Sequence, residues 1–237
     1  MFGKGNFMQN PFNSLKRREW VLWAVSLVVT VLSNIIGGNV SPVNLAATSV
    51  GVTALIFVAK GDVWGQILTV LFSILYAIVS YEQRYYGEMI TYLGMTMPIA
   101  AMSVVSWLKN PFEKGKNVVK IHHLTACQKI MAVFLSAVVT AIFYFILKAF
   151  DTPVLFVSTV SITTSFIASY LTFYRNSYYA LAYAANDAVL IVLWVIASFE
   201  NTSYISMVAC FLMFLINDMY GFVSWKRREK KQMTGRL

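Results

Sequence analysis

Charged residues are scarce in this chain: Asp, Glu, Lys and Arg make up 12% of its 237 residues, and acids number only 10 against 19 bases. Soluble domains carry about 25% charge, so a surface of ordinary water-facing polarity is excluded. Cysteine is limited to Cys127 and Cys210, in separate apolar runs without paired spacing. That excludes a disulfide framework and a cysteine metal site, and both read as small apolar fillers. The only histidines, His122 and His123, are adjacent. Neighbouring residues cannot both turn to one metal from a helix, so they read as part of a solvated loop and no metal is expected. No phosphate-cradling glycine loop, nucleophile elbow or metal motif occurs, so no catalytic residue is assigned, no cofactor is expected and the chain is not read as an enzyme.

What is abundant is apolar surface. Hydrophobic residues make up 58% of the chain, and mean hydropathy is +0.65. Eight apolar segments can be drawn: Trp20–Ile36, Val43–Ala59, Val63–Tyr81, Met89–Trp107, Ile130–Phe150, Val154–Tyr174, Tyr179–Phe199 and Tyr204–Trp225. Each approaches the roughly 20 residues that a bilayer needs. The reading is an all-α polytopic membrane protein with eight transmembrane helices, most of them joined by short connections as antiparallel hairpins. Gly37-Gly38-Asn39 lacks a small-x-small cleavage signal, so the first run reads as a retained helix and not a signal peptide.

The positive charge is asymmetric. If the N-terminus is cytoplasmic, inside regions hold Lys4, Lys16, Arg17, Arg18, Lys60, Lys109, Lys114, Lys116, Lys120, Lys129, Arg175 and the tail bases Lys226 to Arg236, 17 of the 19. Only Arg84 and Lys148 fall outside, with Glu82, Glu88, Asp151 and Glu200. This places both termini in the cytoplasm. A net charge of +9 therefore needs no nucleic acid partner, and lipid is the expected surroundings.

A shift of 118 residues superposes like on like. It pairs Leu75 with Leu193, Ile78 with Ile196, Ser80 with Ser198, Glu82 with Glu200, Tyr86 with Tyr204 and Met89 with Met207. It also pairs Met95 with Met213, Val105 with Val223, Ser106 with Ser224 and Trp107 with Trp225. The shift spans four segments, so both copies share one orientation. That suggests a parallel duplication with a substrate path between the halves.

Polar residues inside apolar helices are candidates for function because they are costly there. Tyr183, Asn186, Asp187, Leu190 and Trp194 recur at helical spacing in the seventh segment. In the third, Gln66, Thr69, Ser73, Tyr76 and Ser80 form a polar stripe; the eighth holds Asn217, Asp218, Tyr220, Gly221 and Ser224. The ladder Ser158, Ser161, Ser165 and Ser169 reads as helix-packing glue. Aromatics stack on flat rings, amides give paired donor and acceptor contacts, and carboxylates suit hydroxyls or a cation. A planar heteroaromatic with a sugar fits all three.

The runs Ala59-Lys60-Gly61…Trp64-Gly65-Gln66 and Tyr85-Tyr86-Gly87-Glu88, with Ala185-Asn186-Asp187…Trp194 and Asn217-Asp218-Met219-Tyr220-Gly221…Trp225-Lys226-Arg227-Arg228, resemble the PnuC family of nicotinamide riboside transporters. The resemblance implies a SWEET-like unit of three helices, a linking helix and three helices, usually trimeric, with an added N-terminal helix. The corresponding divisions are 1–41 for the N-terminus and extra helix, 42–107 for the first repeat, 108–150 for the basic loop and linking helix, 151–228 for the second repeat and 229–237 for a basic tail. It also implies facilitated uptake of an NAD precursor, trapped by a cytoplasmic riboside kinase. Family binding residues map to Gln66 and Asn186; the Trp of the family's Trp-x-x-x-Asn pattern is Ala182 here, with Tyr183 and Trp194 as neighbouring aromatics. The candidate substrate-binding set is Gln66, Thr69, Tyr76, Tyr183, Asn186, Asp187, Trp194, Asn217, Asp218 and Tyr220. Thiamine or another nucleoside is the alternative substrate, and a structural or interaction role in the membrane is the alternative of another class. The topology is testable with reporters fused after Leu237: green fluorescent protein should fluoresce and alkaline phosphatase should be inactive, and the reverse would invert the molecule.

Overall fold

The computed structural model describes residues 11–38, 40–82, 85–113, 117–152 and 154–234. Lys4, Arg84, Lys114, Lys116 and Arg236, all counted in the charge asymmetry, lie outside the described residues. Within them, eight helices are long and apolar enough to cross a membrane. These are α1 (Arg17–Ile36), α2 (Pro42–Ala59), α3 (Val63–Glu82), α4 (Tyr86–Lys109), α5 (Ala126–Ala149), α6 (Leu155–Phe173), α7 (Tyr179–Ser198) and α8 (Ile205–Met233). The all-α expectation holds. Glu88, read as an outside residue, is buried inside α4.

Local chemistry sets several helix starts. Ser41 caps α2 by accepting the Asn44 N–H at 3.0 Å, with Pro42 in the first turn. Thr125 and Gln128 form a capping box at the start of α5. Asp62 accepts the Trp64 N–H at 3.0 Å ahead of α3; burial holds its carboxyl above the usual range, opposed by that bond and by the charges of Lys60 and Arg228. Within α4, residues Tyr92–Thr96 form a π-helical turn, of the kind that often occurs at functional sites.

The hairpins α2–α3, α6–α7 and α7–α8 are closely packed, while α1 lies against α2 and α8. Residues 118 apart make reciprocal bonds. Trp107 Nε1 donates to the Thr172 carbonyl at the end of α6, and Trp225 Nε1 donates to the Val58 carbonyl at the end of α2, each at 2.9 Å. The two indoles are fully buried and lie 5.7 Å apart, tilted against each other. Helix α5 is the least covered, exposing Ile130, Val133, Phe134 and Phe145.

Two segments differ from expectation. The last helix continues eight residues past Trp225, because buried Glu229 accepts from Ser177 Oγ and Lys226 Nζ and keeps the chain against the bundle. The basic connection after α4 is no solvated strand of chain. Val119 is fully buried, its N–H donates to the Gly61 carbonyl, and Gln232 Nε2 donates back to its carbonyl. Within the same segment, His122 stacks on Tyr174, and His123 Nδ1 lies 3.3 Å from Glu229.

Where α2 meets α3, Gly65 lets two backbones touch. A Cβ there would meet Val58 N and come within 2.9 Å of Phe57 C. Because backbone cannot swing aside, Gly65→Ala is expected to cost about 1–3 kcal/mol, seen as a lower melting temperature in detergent. An unchanged melting temperature would show that the hairpin has slack.

Candidate functional site

A cavity opens between α2, α3, α4, α6, α7 and α8. The space between its lining atoms totals about 700 Å³, yet only about 80 Å³ is wide enough to hold the centre of a water molecule. It is a slot and not a chamber. Six of the ten sequence candidates line it: Gln66, Thr69, Tyr183, Asn186, Asp187 and Asp218.

Helical geometry explains why these side chains converge. Gln66 and Thr69 lie one turn apart on α3, and the Thr69 hydroxyl donates to the Gly65 carbonyl of its own helix at 2.8 Å. That leaves its oxygen lone pairs toward the slot. On α7, Asn186 and Asp187 lie one turn beyond Tyr183, on the same side of the helix. Thr164 donates to Asn186 Oδ1 at 2.8 Å, turning the amide so that its NH₂ is the free end. Ser169 Oγ and the Tyr183 hydroxyl lie 3.1 Å apart.

Asp187 and Asp218 bring two carboxyl groups to the same slot from the neighbouring helices α7 and α8. Both are buried, and Asp187 Oδ2 has no hydrogen-bond partner. Among the described lining residues there is no Lys, Arg or His. The slot is acidic, walled by rings and amides.

Four candidates stand elsewhere. Tyr76 packs into an aromatic cluster, its ring 4.4 Å from that of Tyr92 and 5.5 Å from that of Phe72. Trp194, almost fully buried, lies against Tyr85 and Tyr204 toward the end opposite the termini. Asn217 points away from the slot and donates to Ser26 Oγ on α1 at 2.8 Å. The Tyr220 hydroxyl donates to Glu19 Oε1 on α1 at 3.0 Å. Consecutive residues on a helix are about 100° apart, so Asp218 turns to the slot while Asn217 turns to α1.

The structure adds Phe72, Tyr92, Thr96, Ser165, Tyr179 and Phe214 to the walls. Phe72 follows Thr69 by one turn, a spacing already visible in the chain. Tyr92 and Thr96 are placed by the π-helical turn, which periodicity does not reveal. Two members of the serine ladder serve the site: Ser165 lines it and Ser169 contacts Tyr183. Ser161 donates to the Ser158 carbonyl within its own helix.

An all-helical membrane bundle with a polar slot at its centre has the architecture of a small-molecule transporter. The chain belongs to the nicotinamide mononucleotide transporter family, which it matches over residues 41–227, leaving out residues 1–40, with α1, and residues 228–237. It is 26% identical over 190 residues to a nicotinamide riboside transporter PnuC of Neisseria mucosa, covering 78% of this chain and 72% of that protein. Its fold resembles a crystal structure of the vitamin B3 transporter PnuC, with a TM-score of 0.78 and 24% identity, over 92% of this chain and 94% of that one. It is a multi-pass plasma membrane protein.

Thr164→Val removes the bond that orients Asn186 while keeping volume. Binding of the transported solute should weaken by about 1 kcal/mol, roughly fivefold, with the melting temperature nearly unchanged; equal affinity would mean that Asn186 orients itself without Thr164.

Proposed function

We propose that this protein imports nicotinamide riboside, and that the slot selects the riboside over its phosphorylated mononucleotide. The observation that carries the proposal is the acidic, base-free lining. Nicotinamide riboside combines a planar pyridinium cation with an uncharged sugar; the mononucleotide adds a phosphate. In a site of low polarity, a carboxylate attracts the former and repels the phosphate of the latter by several kcal/mol.

The thinness of the slot suits a flat ring between Phe72, Tyr92, Tyr183 and Phe214. Gln66 and the free NH₂ of Asn186 match the carboxamide, and Asp187 and Asp218 meet the ring charge and the ribose hydroxyls. No coupling ion is invoked: transport is facilitated diffusion, and a cytoplasmic riboside kinase makes it directional by removing the product from equilibrium. Both termini are cytoplasmic, by charge asymmetry. The chain is a 3+1+3 parallel duplication preceded by α1, supported by the reciprocal tryptophan bonds, and it assembles as a homotrimer through the sparsely covered α5 face. Thiamine is the second reading, because it too is flat and cationic and because Ala182 stands where the family pattern has Trp.

Calorimetric titration in detergent distinguishes these. Nicotinamide riboside should bind saturably, uridine weakly and nicotinamide mononucleotide not in the slot. Asp187→Asn and Asp218→Asn should each weaken riboside binding by about tenfold, 1.4 kcal/mol. Riboside affinity untouched in both variants would sink the charge argument, and thiamine binding without riboside binding would replace the substrate.

A further inference from the structure

A second opening lies at the end of the molecule that carries the termini, between the start of α1, the end of α2 and the last turns of α8. Space wide enough for the centre of a water molecule amounts to about 570 Å³ there, several times that of the slot. Its charge is opposite. The described lining contains seven Lys and Arg side chains and one carboxylate, Glu19.

That carboxylate is already engaged. Glu19 Oε2 accepts from Lys60 Nζ at 2.8 Å and from the Lys16 N–H at 2.7 Å, while Oε1 accepts from the Tyr220 hydroxyl. The other bases have no anion in the cleft. Arg17, Arg18, Arg227 and Lys231 are exposed on its walls. Arg228 Nη1 is buried without a hydrogen-bond partner, and Glu19 and Asp62 act on the guanidinium from beyond ion-pair distance.

Membrane topology accounts for the sign of these charges but not for their convergence. Bases from opposite ends of the chain, at residues 17–18 and 227–231, share one concave surface. Like charges 4 Å apart repel by about 1 kcal/mol in water and about 4 kcal/mol near a protein surface. A bound anion turns that repulsion into attraction. Guanidinium groups such as those of Arg17, Arg18 and Arg227 present forked donors that match phosphate oxygens.

We propose that this cleft is a binding site for a phosphate-bearing anion, supplied either as a soluble phosphomonoester or as a phospholipid headgroup. The assignment of the cleft to the cytoplasm rests on the orientation proposed above. On that side, phosphorylation of an imported riboside creates a phosphomonoester that the acidic slot rejects and the basic cleft accepts. Helix α8 carries both Asp218 and Arg228, about 15 Å apart at 1.5 Å per residue, so the two sites share one rigid element.

The test uses the full chain in phosphatidylcholine nanodiscs, titrated with nicotinamide mononucleotide, AMP and nicotinamide riboside, and a second set of discs doped with phosphatidylglycerol. For a soluble ligand, the mononucleotide and AMP bind in neutral discs and bind about tenfold more weakly to Arg227→Gln/Lys231→Gln, while riboside affinity is unchanged. For a headgroup, phosphatidylglycerol raises the melting temperature of the wild type and not of the variant. The exposed pair Arg17→Gln/Arg18→Gln repeats the comparison from the other wall without touching Arg228. Identical responses of the wild type and both variants to phosphomonoesters and to phosphatidylglycerol would overturn the proposal. Riboside titration reads the slot separately: lost riboside binding with a retained phosphate response would remove the substrate reading and leave the cleft.

Discussion

Asp187 and Asp218 place two carboxyl groups side by side in the middle of an apolar bundle, and the arrangement around them follows from the cost of doing so. A carboxylate at membrane depth costs about 3 kcal/mol or more, and no water of the bulk is at hand to reduce it. The surrounding polar groups are therefore gathered from several helices: Gln66 and Thr69 from α3, Thr96 from α4, Ser165 from α6 and Asn186 from α7. Five helices have to meet at one slot for that to occur, and α2 closes it with Gly51, Ala54, Leu55 and Val58. The π-helical turn in α4 is part of the same solution, since it brings Tyr92 and Thr96 to a wall that an uninterrupted helix would present differently.

The slot is bounded at both ends by apolar clusters. Toward the end opposite the termini, Tyr76, Leu190, Trp194, Cys210, Phe211 and Phe214 pack together, with Tyr85 and Tyr204 above them. Toward the termini, Val58, Val63, Trp107, Tyr179 and Trp225 do the same, covered by Val119 and Ile121 of the connecting segment. Trp107 and Trp225 interlock there by donating to carbonyls at the ends of α6 and α2. Such carbonyls are unpaired by the helix itself, so each indole satisfies a backbone group that lipid would leave bare.

Helix α1 lies outside the family match and is attached by polar contacts. Trp23 Nε1 donates to Thr53 Oγ1, Asn44 Nδ2 to Asn34 Oδ1 and Asn217 Nδ2 to Ser26 Oγ, and Glu19 joins Lys60 to Tyr220. Between helices in lipid there is little hydrophobic drive to associate, so hydrogen bonds of about 0.6 kcal/mol each and close packing hold them. The same contacts consume Asn217 and Tyr220, whose residue types alone suit a ligand equally well.

The chain alone determined the number of helices, their bounds to within a few residues except at the C-terminal end of α8, and the class of the protein, because bilayer thickness imposes a length and an apolar composition that are visible without coordinates. It also marked Gln66, Asn186 and Asp187, since buried polar groups in a membrane are few. Tertiary structure decided which polar residues face one another. Asn217 and Asp218 are adjacent in sequence and serve different interfaces, and only the position of α1 tells them apart. Trp194 and Tyr76 fit the periodicity of their helices, yet lie turns away from the slot along the axis. Helical period specifies a face; depth and partner come from how the helices cross, and that is set by contacts between residues far apart in the chain.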